Sequence, residues 1–192
     1  MKIKKLNRIS YIVLKNEVRY GHLKWSISQV AKEAKVSRSW IYKYHGSRKP
    51  EILINALRNT LEDFFLLSEE RQEILRTKGL GAAFMKSREI SQLYPEIYVF
   101  YFKHFHADNV YGKLIRKIEN DYFDNHLMKR HQFLNRFQGS LLRCMTHGLG
   151  LAFYLDTPHT QAMIDFVLSS EFKDWVRSIP NHFDVATRSD QR

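Results

Sequence analysis

Histidines and carboxylates are the first residues to weigh for chemistry. His104, His106, His126 and His131 are metal-ligand types, and His104 with Asp108 has the i, i+4 spacing that puts two ligands on one helix face. His104 and His106, however, lie two residues apart and would point to different sides of a helix, so no metal site is read from them. Catalysis has less to work with. No Ser-His-Asp order, no activating setting for Cys144 and no carboxylate pair in a cleft-like context stands out, and Glu69, Glu70 and Glu73 read as a solvated face. Gly148-Leu149-Gly150 follows no predicted strand and reads as helix packing rather than as a phosphate cradle. No catalytic residue, metal ligand or cofactor is assigned, and the chain is not read as an enzyme. What remains is ionic chemistry, the capture of a polyanion.

The charges that could do this are segregated. Residues 1–50 hold 13 Lys or Arg and two acids, Glu17 and Glu33, whereas the other 142 residues carry 18 of each sign. The whole net charge of +11 therefore belongs to the first quarter of the chain. So basic a segment repels itself when compact and is explained by a polyanionic partner, nucleic acid or an anionic membrane face. Composition excludes other classes. A chain of 192 residues that is 44% hydrophobic and 14% aromatic can bury a core, which argues against disorder. Its single cysteine rules out an intrachain disulfide, and no run approaches the roughly 18–20 apolar residues of a membrane span. The charged start, with Lys15 interrupting the apolar stretch from Ser10, does not read as a leader, so a cytoplasmic location is expected.

The elements that must position these charges are helices. Four prolines, eight glycines and apolar spacings of three and four predict an all-α chain. A first helix is expected over 5–20, with Leu6, Ile9, Val13 and Leu14 inward and Gly21 as a left-handed C-cap. Ser26-Ile27-Ser28-Gln29 has capping-box spacing and opens a second helix carrying Val30 and Ala34. After a turn at Ala34-Lys35-Val36, Ser37 caps a third helix from Arg38 to His45. Pro50 suits the first position of a linker helix through Ile52, Leu53, Ala56, Leu57, Leu61, Phe64 and Phe65. Further helices are expected near 69–77, 80–91, 95–107, 110–129, 131–155 and 158–178, with a frayed tail from Asn181.

Two short helices joined by a tight turn, the second opening on a capping serine and lined with basic groups, make a helix-turn-helix. A helix about 10–12 Å across fits a major groove of about 12 Å, so its first turns reach base edges. Here those turns bear Arg38, Ser39, Trp40, Tyr42 and Lys43.

The run from Gly21 to Tyr44, with Ser26-Ile27, Val30-Ala31, Ala34-Lys35-Val36-Ser37 and Ile41-Tyr42-Lys43-Tyr44, resembles the TetR family of bacterial transcriptional regulators. The resemblance covers residues 5 to about 65; beyond it the chain follows the family only in length and helical order. It departs from the family pattern at Lys35 for the turn glycine, Trp40 for the usual threonine and His45 for the usual phenylalanine. The step Gly46-Ser47-Arg48-Lys49-Pro50 is also one residue longer, so either Arg48 or Lys49 matches the phosphate-contacting lysine. The resemblance implies that Ser26, Tyr42, Tyr44 and Arg48 or Lys49 contact phosphates, and that Arg38, Ser39 and Lys43 face bases. Ser37 completes the expected DNA-binding set. For Trp40 two readings fit, packing under the helices or lying against a thymine methyl, and Tyr44 reads equally as core.

Two further sites follow from apolar spacing. Phe133, Phe137, Leu141, Cys144, Met145, Gly148 and Ala152 recur at heptad-like intervals, and Met163, Phe166 and Val167 lie on a helix apolar on nearly all sides. The resemblance implies that these two helices form a twofold four-helix bundle in a homodimer. Tyr98, Tyr101, Phe102, Phe105, Tyr122 and Phe123 either line an apolar ligand pocket or form ordinary core.

The expected architecture is thus a three-helix DNA-binding domain over 1–49 and a helical ligand-binding and dimerisation domain over 50–192, with about nine helices. The expected function is a homodimeric, sequence-specific transcriptional repressor that leaves an operator in double-stranded DNA when a small-molecule effector binds, without membrane association. The competing readings are a constitutive DNA-binding module acting through a protein partner, with no ligand pocket, and a basic peripheral membrane-binding protein.

Overall fold

A computed structural model describes residues 2–127, 136–155, 159–172 and 174. Among them every regular element is helical, as the spacing predicts. The helices are α1 (Lys2–Tyr20), α2 (Ile27–Ala34), α3 (Arg38–His45), α4 (Lys49–Phe64), α5 (Glu69–Leu93), α6 (Glu96–Phe105) and α7 (Val110–Asn120). A π-helical segment, Asp121–Leu127, follows α7, and α8 (Arg136–Leu155) and α9 (Thr160–Leu168) come after it. No helix among the described residues is long and apolar enough to cross a membrane.

Local chemistry explains most helix ends. Gly21, at φ 90°, closes α1 by donating its N–H to the Glu17 carbonyl at 3.1 Å. Ser26 and Ser37 both have extended backbone, and their hydroxyls accept from the backbone N–H groups of Gln29 and Trp40, at 3.0 and 3.2 Å. Only half of the expected capping box forms at Ser26: the Gln29 amide donates instead to the Tyr20 hydroxyl at 2.7 Å. Pro50 stands one position later than expected, because α4 begins at Lys49. Arg48, the residue before α4, makes no side-chain cap, and the Glu51 carboxylate of the first turn reaches back to accept from the Ser47 N–H at 2.9 Å.

The two helices expected at 69–77 and 80–91 are present within the span of α5, separated at Gly79, which sits at φ 81°, ψ 177°. Two expectations need correction. The helix expected over 110–129 stops at Asn120 and widens into the π segment, a change of hydrogen-bond register to which apolar spacing is blind. The helix expected over 158–178 breaks at Ser169, whose extended backbone (ψ 159°) ends α9; the end of that range, and the tail from Asn181, lie outside the described residues.

The chain divides into two compact units, Met1–Tyr122 and Phe123–Arg192. In the first, α4 packs along α1, α3 and α7, and α6 packs on α1 and α7. Its core is built from Ile9, Val13, Leu14, Trp25, Val30, Ile41, Ile52, Leu53, Ala56 and Leu57, all buried. The boundary expected at 49/50, before the linker helix, falls inside this unit. In the second unit α8 and α9 pack together, with Leu149, Ala152, Phe153 and Ile164 buried and the Thr160 hydroxyl donating to the Ala152 carbonyl at 3.1 Å.

Candidate nucleic-acid interface

The basic segment acquires its shape from its two acids. Glu33, on α2, accepts from the Lys15 ammonium at 2.6 Å and from the Asn16 amide at 3.4 Å, tying α2 to α1. Burial alone would raise its carboxyl, but hydrogen bonding and charge from Lys15, with Asn16 and Gln29, hold it below the usual carboxylate range. Glu17, near the end of α1, is buried and serves the loop that leads into α2. It accepts from the Leu23 N–H at 3.0 Å and the Trp25 indole N–H at 2.7 Å, and lies 2.7 Å from His22 Nδ1. With both carboxylates turned into these contacts, Lys24, Lys32, Lys35, Arg38, Lys43 and Arg48 remain on the surface of the segment.

On α3 the burial pattern separates anchor from display. Ile41 and His45, one turn apart, are buried, whereas Arg38, Ser39, Tyr42 and Lys43 are exposed. Trp40 is half-buried and its ring lies 4.4 Å from that of Tyr44, centre to centre. The Lys43 ammonium stands 5.4 Å from the Tyr44 ring. Trp40 and Tyr44 thus pack on one another, and both are half-buried. Lys35 adopts φ 55°, ψ 48°, the left-handed turn for which glycine is the easier residue, and donates to the Lys32 carbonyl at 3.2 Å.

Arg48 and Lys49 stand apart in geometry. Arg48 is exposed in front of α4. Lys49 is half-buried, its ammonium donating to the Leu23 carbonyl at 2.9 Å and lying 5.8 Å from the Trp25 ring. Of the expected DNA-binding set, Ser26, Ser37, Arg38, Ser39, Tyr42, Lys43 and Arg48 thus reach the surface on α2, α3 and the start of α4, and Lys49 is turned inward. Sequence reasoning missed Glu17. The available signal was scarcity, because a carboxylate kept in a segment of 13 cations needs a structural reason.

The expected apolar sites fare differently. Tyr98, Tyr101, Phe102 and Phe105 share α6. Tyr98 is buried, with its hydroxyl 3.2 Å from that of Ser91, and burial raises its phenol above the usual range. The Tyr101 hydroxyl donates to Glu119 at 2.8 Å, and its ring stacks on Phe105 at 5.3 Å. Tyr122 stacks on Phe65 at 5.1 Å. Phe102 is 41% exposed, and Phe123 belongs to the second unit, where Arg143 lies over its ring. Of the expected dimer face, Met163 and Phe166 are 37% and 48% exposed, Cys144 is exposed, Val167 is intermediate and Gly148 has open space beside it. Ala152 is corrected: it is buried in its own chain. The side chains of Phe137, Leu141 and Met145, and all of Phe133, lie outside the described residues.

His104 and Asp108 do not share a helix face, because α6 ends at Phe105. The His104 ring meets Asn109 at 3.2 Å while Asp108 pairs with Lys113 at 3.0 Å. Among the described residues no group of three or more His, Cys, Asp and Glu is placed to hold a metal; His131 lies outside them. Comparison with models of known protein families, with curated proteins and with solved structures gives no match.

Proposed function

We propose that this chain is a homodimeric, sequence-specific DNA-binding transcriptional regulator of the TetR type, a cytoplasmic repressor that a small-molecule effector releases from its operator. The observation that carries the reading is the two-sidedness of α3. Ile41 and His45 anchor the helix while Arg38, Ser39, Tyr42 and Lys43 project outward beside Arg48, on a segment whose two carboxylates are both engaged. Such a helix presents a fork able to grip guanine O6 and N7, with hydroxyl and ammonium donors around it for bases and phosphates.

The exposed apolar groups of the second unit support self-association. Met163 and Phe166 on α9 join Leu151, Tyr154 and Leu155 on α8 as large exposed hydrophobics, a face that a second copy would cover. Two copies would present two α3 helices to half-sites about one helical turn apart, roughly 34–36 Å. An effector that favours another separation then releases DNA, and a coupling of about 1–3 kcal/mol suffices for a graded response.

The test is selection of the purified protein on random duplex DNA at physiological salt, followed by sequencing of what is retained. A palindrome with half-sites one turn apart is the expected result. Retention without sequence preference, lost steeply as salt rises, would mean that the basic segment holds only backbone, and liposome flotation would then decide whether the polyanion is a membrane.

A further inference from the structure

The loop between α1 and α2 is held from both sides. From α1, the Glu17 carboxylate takes the Leu23 N–H and the Trp25 indole N–H; from α4, the Lys49 ammonium takes the Leu23 carbonyl. Leu23 itself sits at φ 55°, a left-handed conformation that a leucine does not hold without outside contacts. Its two backbone polar groups are those two residues' targets. Trp25, 1% exposed, fills the space beneath, and Ser26 directly after it caps α2.

We infer that Glu17 and Lys49 are positioning residues, a clamp on Leu23 that sets the pose of α2 and α3 against α1 and α4, and that the Lys49 ammonium is committed to this loop rather than to a DNA phosphate. The inference rests on the DNA-binding reading and deepens it. The positive charge at the start of α4 is divided: Arg48, exposed, faces solvent and any polyanion, while Lys49 is spent on a carbonyl of the neighbouring loop. Held this way, the loop carries the first residue of α2 at a fixed distance from the start of α4, and the short turn at Lys35-Val36 passes that constraint to α3.

Phosphate contact and positioning leave different signatures. Removing one phosphate contact flattens the dependence of log affinity on log salt by about 0.9, whereas disturbing the pose lowers affinity with the slope unchanged. The experiment compares the full chain with Lys49→Met and, as a second variant acting on the same loop, Glu17→Gln, on the duplex recovered by selection, at several salt concentrations. Hydrogen exchange of the Trp25 indole N–H is followed by NMR in the same samples without DNA. Lys49→Met is expected to weaken binding roughly ten- to hundredfold, the worth of a hydrogen bond to a charged group, at constant salt slope and with faster indole exchange. Glu17→Gln is expected to change both in the same direction.

A slope reduced by about 0.9 per protomer with indole exchange unchanged would make Lys49 a phosphate contact and overturn the inference. Unchanged affinity with faster exchange would leave a loop tether without influence on binding, and would overturn it as well. If the unsubstituted protein retains no duplex, the DNA-binding reading fails and takes the positioning role with it; indole exchange then still reports whether the loop is clamped.

Discussion

The Arg71 guanidinium of α5 donates through Nε to Asp63 Oδ2 of α4 at 2.9 Å, with the two side chains 1% and 2% exposed. Asp63 also accepts from the Asn7 amide at 3.0 Å, the Tyr11 hydroxyl at 2.8 Å and the Ser68 hydroxyl at 2.7 Å, and Arg71 Nη1 donates to the Ala83 carbonyl at 2.7 Å. Burial, and after it the Asp63 charge, drive the Tyr11 phenol far above its usual range, so it stays a donor. One carboxylate therefore joins α1, α4 and α5. Removing either member of a buried pair strands the other, so Asp63→Ala and Arg71→Ala should each cost about 3–5 kcal/mol in urea unfolding, and the double variant less than their sum. A cost below about 1 kcal/mol for Asp63→Ala, the range of an exposed pair, would show that the network is not holding the three helices.

Lys35 gives a prediction of opposite sign. Its left-handed conformation costs an L residue about 1–2 kcal/mol, and glycine removes that cost while adding chain entropy to the unfolded state, about 0.4–1 kcal/mol. Lys35→Gly should therefore raise stability by about 0.5–1 kcal/mol, visible as a higher midpoint in thermal unfolding. A lowered midpoint would mean that the lysine side chain contributes more than its backbone loses.

His45 makes stability depend on pH. It is fully buried at the end of α3, neither ring nitrogen has a hydrogen-bond partner among the described residues, and burial lowers its pKa from 6.5 to about 4. The folded state therefore binds this proton less readily than the unfolded state. Stability should be unaffected by His45 above pH 6.5, fall as pH drops below 6.5, and level off near pH 4, where the loss amounts to about 3 kcal/mol. His45→Phe removes the titration and leaves an apolar ring in an apolar site. The difference in stability between the two proteins should shift in favour of the Phe variant on going from pH 7.5 to 4.5, other groups contributing equally in both. Equal losses in the two proteins would exclude His45 as their source.

What was legible in the sequence was local. Gly21, Ser26, Ser37 and Gly79 act on backbone groups within a few residues, and each ends, starts or breaks a helix where its type predicts. What was not legible depends on partners far along the chain. Lys49 meets a carbonyl 26 residues away, and Asp63 draws donors from 56 and 52 residues away, so no spacing rule finds either. Gln29 leaves its capping box half made, its side-chain N–H group donating to the Tyr20 hydroxyl, a partner nine residues away. Ser169 ends α9 without the glycine or proline that punctuates a sequence.

The division of labour on the exposed face is open to the same separation of slope from sequence. Arg38 stands in the first turn of α3 and Arg48 before α4, both exposed, so a groove-bound α3 would bring the first to base edges and leave the second beside the backbone. A bidentate grip on guanine is worth about 1–3 kcal/mol of discrimination, so Arg38→Ala should relax preference at one base position of each half-site. Arg48→Ala should weaken all sequences alike and reduce the salt slope by about 0.9 per protomer. Binding curves on the selected duplex and on single-base variants, each at several salt concentrations, measure both. Uniform weakening by both substitutions would place Arg38 on the phosphates too, and sequence reading would then have to come from Ser39, Trp40 and Lys43.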